Sequence, residues 1–325
     1  MQRGGVELAH QLVDHINNSG GLAYIVYEKE DQISPAKTIT PAYQKYNIKV
    51  ADHVEDDCDN MIILPEFYFD WIFKYKKINI GLWWMSVDNR YMRCHWTEAL
   101  LFNKPIRQRL KTFKKAFESK CKNRLSDLKL LGDRGFNFYQ SVYAQNHLYS
   151  KGFTNVFPLS DYINEELCLS SVDNISRENI VLYNPGKGLR FTKHIIANNP
   201  DVKFIALRGF SRTQLRDLMH KAKIYIDFGN FPGKDRLPRE AILNGLCVIT
   251  GNAGASFFFE DVPIPSKYKY SISKKNIPVI SNLIREIFEN FNDHYDKFTD
   301  WKTIITEERN IFYKQIDTFF FKKVE

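Results

Sequence analysis

Short apolar runs recur along this chain, and each ends at a polar or glycine-containing turn. Runs rich in β-branched and aromatic residues, separated by segments of mixed helical and loop character, predict buried strands of parallel sheets joined by crossover connections. The predicted strands are residues 21–27, 60–65, 78–87, 180–183, 202–207, 224–228 and 246–250. We therefore expect an α/β protein that places its ligands at the carboxyl ends of its strands.

One stretch, residues 222–256, combines a strand, a basic loop, a helix and a second strand. Gly229 ends the first strand, and Lys234 and Arg236 follow on the loop. Two cations beside exposed N–H groups suit a phosphate, so the loop is a candidate phosphate site. Considered alone, it could equally be a surface loop whose charges are solvated.

The helix after this loop also has a distinctive start. Pro238 fits its first turn, where a missing N–H costs nothing, and Glu240 then lies near its positive end. A carboxylate at that place suits two sugar hydroxyls, so the ligand suggested is a nucleotide that carries a sugar. Gly251 and Gly254, after the next strand, are expected to allow close approach to another backbone or to a ligand.

Two further predicted strands end in a cation beside glycine. The strand at 180–183 runs into a turn that contains Lys187, and the strand at 202–207 ends at Arg208. Because parallel strands share one carboxyl edge, both cations are expected to converge on the loop of Lys234 and Arg236. Three successive strand ends of this kind favour phosphate binding over a solvated surface.

Residues 227–241 (DFGNFPGKDRLPREA) resemble bacterial glycosyltransferases of the GT-B fold, in particular those of capsule, O-antigen and exopolysaccharide synthesis, which show a DFG-x-x-PGKDR-x-PREA pattern. The resemblance implies two Rossmann-like α/β/α domains that face a central cleft. It implies an acceptor domain at 1–160, a donor domain at 161–290, and a last helix at 291–325 that crosses back. The donor would be a nucleotide diphosphate sugar, and the acceptor a glycan or a lipid-linked oligosaccharide.

The same resemblance assigns roles to residues of the donor domain. The family has two glutamates at this place, and Glu240 matches the second, which binds the donor ribose. The first would fall at Pro232. This chain therefore lacks the carboxylate that would contact the transferred sugar at that position. Lys187 matches a lysine that neutralises the diphosphate. The nucleotide-binding residues expected in this domain are Asn184, Lys187, Gly188, Arg208, Gly229, Lys234, Arg236 and Glu240.

In the first half, Gly4 and Gly5 open a segment of helical spacing and resemble the glycine loop of these enzymes. A plain helix start explains them as well. A strand precedes such a loop in the family, and none precedes it here, so we expect that strand to be absent or the sequence to be truncated at its front.

Two carboxylates of the first half are candidates for catalysis. Asp88 follows the run 78–87, where related enzymes place a His or His-Asp pair, and it could orient a sugar hydroxyl or act as a general base. It could also be a simple turn or N-cap residue. Glu66, at the end of the strand 60–65, competes for the same role.

The net charge of +8 is concentrated in one segment, because residues 104–124 hold nine Lys or Arg and one Glu. Apolar residues at steps of three or four place these cations on one face of a helix. That helix could be solvated or could contact anionic lipid headgroups. No recognised nucleic-acid module accompanies it, so we expect no nucleic-acid partner.

Composition limits the remaining possibilities. At 325 residues with 44% apolar composition, the chain can form two domains. We expect neither a transmembrane helix nor a signal peptide, and therefore a cytoplasmic protein that is either free or peripheral at the inner face of the plasma membrane. Five scattered cysteines suggest reduced thiols. Because lysine and arginine side chains can supply the positive charge that a divalent ion supplies in other transferases, we expect a metal-independent enzyme without a cofactor.

Overall fold

The computed structural model describes residues 4–29, 32–33, 41–92, 125–164 and 176–322. The chain divides into two compact units: Met1–Asp161 with Asn310–Glu325, and Tyr162–Arg309. The domain boundaries expected from the sequence stay a prediction. The basic segment 104–124 and most of the polar stretch 165–178 lie outside the described residues.

The first unit is built on a parallel sheet of four strands in the order β5-β6-β7-β8. A parallel pair, β1 with β4, and a short antiparallel pair, β2 with β3, lie outside that sheet. Its strands are β1 Tyr24–Val26, β2 Glu28–Lys29, β3 Gln32–Ile33, β4 Lys49–Ala51, β5 Met61–Pro65, β6 Asn79–Trp84, β7 Gly135–Tyr139 and β8 Val156–Pro158. Its described helices are α1 Gly4–Asn18, α2 Val87–Met92 and α3 Val142–Ser150.

The second unit is built on a parallel sheet of five strands in the order β10-β9-β11-β12-β13. Its strands are β9 Glu178–Tyr183, β10 Lys203–Ala206, β11 Ala222–Asp227, β12 Cys247–Gly251 and β13 Lys269–Tyr270. Its helices are α4 Leu189–Ala197, α5 Arg212–Lys221, α6 Arg236–Leu243, α7 Ile277–Glu289, α8 Phe291–Tyr295 and α9 Thr299–Ile316, of which the last continues into the first unit from Asn310.

The cores of both sheets follow the predicted apolar runs. Ile80, Leu82 and Trp84 of β6 are fully buried, as are Ile224 and Ile226 of β11. Strands with both faces buried read as continuous apolar runs rather than alternating ones, as parallel sheets require. The prediction of an α/β protein with parallel sheets is confirmed.

One strand is shorter than the sequence indicated. The apolar run 78–87 was expected to be a single strand that ends at Asp88, but β6 stops at Trp84 and α2 begins at Val87. Asp88 therefore lies in the first turn of a helix, and its predicted place at a strand end is wrong. Val87 is buried like the strand residues before it, so apolar character alone did not mark the change of structure.

The sequence predicts no transmembrane helix. Among the described residues, no helix combines the length and the apolar character needed to cross a bilayer.

Candidate functional site

The carboxyl edge of the second sheet gathers most of the predicted binding residues. In the parallel register, Tyr183 of β9 lies beside Ala206 of β10 and Ile226 of β11, and Asp227 lies beside Thr250 of β12. The turns that follow these four strands therefore emerge at the same edge.

Three glycines let these turns touch one another, two of them backbone to backbone. A Cβ atom at Gly188 would lie 2.2 Å from the carbonyl oxygen of Phe228, and one at Gly254 would lie 2.2 Å from that of Phe231. A Cβ atom at Gly229 would lie 2.3 Å from Cβ of Lys187. Since no side chain tolerates such distances, the predicted close approach at Gly254 is confirmed, and Gly188 and Gly229 share it.

Lys187 pairs with a carboxylate at this edge. Its Nζ donates to Oδ2 of Asp235 at 2.5 Å, and both side chains are only partly exposed. Asp227 lies nearby, and its carboxylate accepts hydrogen bonds from the Tyr225 hydroxyl and the Gly229 N–H, each at 2.9 Å. Burial, and then the charge of Asp235, raise the pKa of Asp227 to about 6, while Lys187 opposes the shift.

Arg236 and Glu240 lie one turn apart on α6. The Arg236 Nε lies 3.5 Å from Oε1 of Glu240, and Glu240 is buried. Pro238 occupies the first turn of this helix, as predicted from the sequence. The carboxylate expected to bind ribose thus already contacts a cation expected to bind phosphate.

Lys234 points to a different partner. Its Nζ lies 2.9 Å from Oε1 of Glu308 on α9, and the other oxygen of Glu308 lies 2.6 Å from Nη1 of Arg239. All three side chains are largely removed from water. Lys234 is therefore part of a buried ion network.

The remaining predicted residues of this unit have simpler surroundings. Asn184 accepts a hydrogen bond from the Gly186 N–H through its side-chain oxygen at 2.9 Å, which closes the turn before Lys187. Arg208 follows β10 and is exposed, and its N–H donates to the Ala206 carbonyl at 2.9 Å. Arg208 shares the sheet edge with the other cations.

In the first unit, Gly5 and Glu66 both lie next to Met85. Helix α1 begins at Gly4, and a Cβ atom at Gly5 would lie 3.5 Å from Cε of Met85, which is an ordinary contact. The Met85 N–H donates to the Glu66 carboxylate at 3.2 Å. These residues adjoin the carboxyl end of β6.

Glu66 is buried, with 2% of its surface exposed. Burial raises the pKa of its carboxyl to about 7, although N–H groups of residues 66, 85 and 86 and the charge of Arg90 act in the opposite direction. A carboxyl group with this pKa can accept or release a proton near neutral pH.

Asp88 makes a different contact. Its Oδ1 accepts a hydrogen bond from the Tyr143 hydroxyl at 2.7 Å, and the side chain is half-buried. Asp88 and Glu66 therefore have separate partners within the same unit.

Four residues of the second unit escaped the sequence analysis as candidates: Asp227, Asp235, Arg239 and Glu308. The first three lie inside the motif already singled out, so their proximity to Lys187 and Lys234 in the chain was a usable signal. Glu308 lies 69 residues after Arg239, and no local pattern connects the two.

A metal site finds no support at either carboxyl edge within the described residues. Among the described residues, the group of three possible ligands whose atoms lie within 4.8 Å of one another is Asp57, Cys58 and Asp59, which is mostly exposed. It precedes β5 and therefore lies at the amino edge of the first sheet, and exposed acidic groups of this kind are common without an ion.

Comparisons with known proteins identify the fold. No family model and no curated protein matches the sequence. Among solved structures, sucrose-phosphate synthase from Thermosynechococcus elongatus matches with a TM-score of 0.61 at 11% identity, over 97% of this chain and 92% of that one. A glycosyltransferase from Rickettsia africae matches with a TM-score of 0.58 at 12% identity, over 99% and 97%.

A third structure, Anabaena HepE in complex with UDP, matches with a TM-score of 0.51 at 11% identity, over 80% of this chain and 78% of that one. With its two parallel α/β units, the chain has the GT-B fold of glycosyltransferases, as the sequence predicted.

The glycine contacts predict a stability difference within the second unit. Gly254 and Gly209 have φ values of 58° and 82°, but a Cβ atom at Gly209 would meet nothing within 4 Å. We expect Gly209→Ala to lower the free energy of unfolding by about 1 kcal/mol through backbone strain alone. Gly254→Ala should lower it by about 3 kcal/mol or more, because the loop must also move away from Phe231. Urea denaturation measures both, and equal losses would contradict the close packing.

The raised pKa of Glu66 predicts a pH-dependent effect of Glu66→Gln. Folding favours the protonated carboxyl, so its stabilising contribution is full below the unfolded pKa and is lost as the pH rises towards 7. An amide does not titrate. The stability of Glu66→Gln relative to the wild type should therefore rise by about 2 to 3 kcal/mol between pH 5 and pH 8.

Denaturant unfolding across that pH range measures the effect. Glu289→Gln, at an exposed position of the second unit, serves as the control and should show no comparable trend. If the difference in unfolding free energy between Glu66→Gln and the wild type does not change from pH 5 to pH 8, the Glu66 carboxyl is ionised over that whole range and the prediction is wrong.

Proposed function

We propose that this chain is a glycosyltransferase that moves a sugar from a nucleotide diphosphate donor to a glycan acceptor. The observation that carries the proposal is the carboxyl edge of the second sheet, where Lys187, Arg208 and Arg236 follow three adjacent parallel strands. Glycines at the turns after β9, β11 and β12 let these turns pack against one another, which holds the cations on one surface. The similarity in fold to HepE, whose structure holds UDP, supports a nucleotide ligand.

In this proposal the cations of the second unit stabilise the negative charge that develops on the departing diphosphate. That charge is the largest electrostatic demand of sugar transfer, and groups already in place meet it without reorganisation. Lys187, Arg208, Lys234 and Arg236 supply the positive charge, with Asn184, Gly188 and Gly229 shaping the turns. We propose that these cations act without a metal ion or a cofactor.

Glu240 would accept the two ribose hydroxyls. The Arg236 Nε lies 3.5 Å from Oε1 of this carboxylate, so the ribose site would adjoin one of the proposed phosphate ligands. A ribose bound at Glu240 would place its phosphates near the cations of the same sheet edge.

For the first unit we propose a role in binding the acceptor. Glu66, with a pKa of about 7, is suited to take the proton of an attacking hydroxyl, and Asp88 is the second candidate for this role. Gly4 and Gly5 open α1 beside Met85 and would allow an acceptor to approach the backbone.

The biological setting is also a proposal. The PGKDR-x-PREA motif resembles enzymes of bacterial surface polysaccharide synthesis, so we propose a lipid-linked glycan acceptor at the inner face of the plasma membrane. The basic segment 104–124, with its helical spacing of apolar residues, would suit anionic lipid headgroups there.

Nucleotide binding provides the direct test. Arg208 is exposed at the carboxyl end of β10, so Arg208→Gln should leave the fold intact and weaken UDP binding at least tenfold, about 1.4 kcal/mol. Isothermal titration with UDP, GDP and ADP at low salt measures the affinities. Because salt screens the charge of an exposed arginine, a higher salt concentration should reduce the difference in UDP affinity between Arg208→Gln and the wild type.

Lys203→Gln is the matched control, because Lys203 begins the same strand and therefore lies at the opposite edge of the sheet. Lys203→Gln should bind UDP with the affinity of the wild type. An equal loss of UDP affinity in Arg208→Gln and Lys203→Gln would indicate a general effect of net charge and would contradict a site at the carboxyl edge. If the wild type binds none of the three nucleotides, the proposal fails.

Mass spectrometry of reaction mixtures distinguishes sugar transfer from two alternative functions. A nucleotide sugar epimerase would change the sugar without adding it to an acceptor, and a catalytically degenerate partner subunit would change nothing. The second alternative is motivated by Pro232, which stands where the family has a carboxylate.

A further inference from the structure

A buried carboxylate far along the chain holds the loop that carries the predicted phosphate ligands. Glu308 lies on α9, with a side chain that is 3% exposed. One of its oxygens lies 2.9 Å from Nζ of Lys234, and the other lies 2.6 Å from Nη1 of Arg239. Each oxygen thus serves a different cation.

Arg239 extends this hold to the backbone of the loop. Its Nη2 donates to the Lys234 carbonyl at 3.1 Å, and its Nε lies 3.3 Å from the Asp235 carbonyl. Glu308 therefore restrains the loop twice, once through the Lys234 side chain and once through Arg239 and two main-chain carbonyls.

The restrained residues adjoin two further ion pairs of the loop. Asp235 pairs with Lys187, and Arg236 begins α6 and pairs with Glu240. A shift of the backbone at 234–235 would move both pairs. Because one closed set of contacts spans these residues, the loop has a defined shape before any ligand arrives.

Burying three charges is costly, and an ion pair in the interior is poor evidence of a gain in stability. Apolar residues of similar size could close the same space. The placement of this network directly beneath the loop points instead to control of geometry, since cations that are already in position lose less conformational entropy when an anion binds.

We propose that Glu308 is a positioning residue of the nucleotide site, which it serves by fixing Lys234 and, through Arg239, the backbone from which Asp235 and Arg236 project. The inference rests on the proposed function. It assigns Glu308 no contact with the nucleotide itself.

Glu308→Gln tests the inference, with Glu307→Gln as its matched control. The two residues are neighbours on α9, and Glu307 is exposed. The amide removes the negative charge and keeps the size of the side chain. Two quantities are measured on folded protein: hydrogen exchange of the backbone amides at 233–240, and the affinity for UDP by titration calorimetry.

We expect Glu308→Gln to exchange these amides at least tenfold faster and to bind UDP at least tenfold more weakly, while Glu307→Gln resembles the wild type in both. Faster exchange with UDP affinity within twofold of the wild type would mean that the network serves stability alone, and the inference would be wrong. Unchanged exchange would overturn it as well.

Glu308→Asp covers the case in which Glu308→Gln does not fold. It keeps the charge, but a side chain shorter by one methylene cannot reach Lys234 and Arg239 together, so the same two changes are expected. Wild-type protein that binds none of UDP, GDP and ADP would overturn the proposed function and this inference with it. Wild-type binding of UDP that neither Glu308 variant weakens would overturn this inference alone.

Discussion

The second unit depends on close backbone contact between turns at one edge of its sheet. Gly188 against Phe228 and Gly254 against Phe231 leave no room for a Cβ atom, so the ends of three strands, β9, β11 and β12, are joined into one surface. Parallel pairing brings the strand ends to the same edge, but only glycine allows the turns to meet there. The arrangement of charges at this edge follows from that contact.

Charge compensation is the second feature of this edge. Lys187, Lys234 and Arg236 each lie beside a carboxylate, and two of these carboxylates, Glu240 and Glu308, are buried. A cation held by a partner keeps its position without a ligand, at the cost of removing both charges from water. A diphosphate would therefore meet groups that need little rearrangement, and the network around Glu308 reaches the backbone that carries them.

The first unit has the same architecture but presents a different chemical group. Its parallel sheet also ends in turns that lead into helices, yet Glu66 is buried with N–H donors and Arg90 around it, and burial prevails to raise its pKa. One unit thus presents cations suited to an anion, and the other presents a carboxyl group suited to proton exchange near neutral pH. In the proposed transfer reaction, the cations would serve the leaving group and the carboxyl group would serve the attacking hydroxyl.

Local information in the sequence determined the α/β class, four of the five strands of the second sheet and the glycines between them, because apolar runs and backbone freedom act over a few residues. It could not reveal that a helix follows Trp84 so closely, since Val87 is as apolar as the strand before it. Nor could it pair Glu308 with Arg239, 69 residues away, because an acidic residue on an amphipathic helix reads as solvated until packing buries it. Tertiary structure alone decided which carboxylate each cation meets, since burial and distance arise only when remote segments pack together.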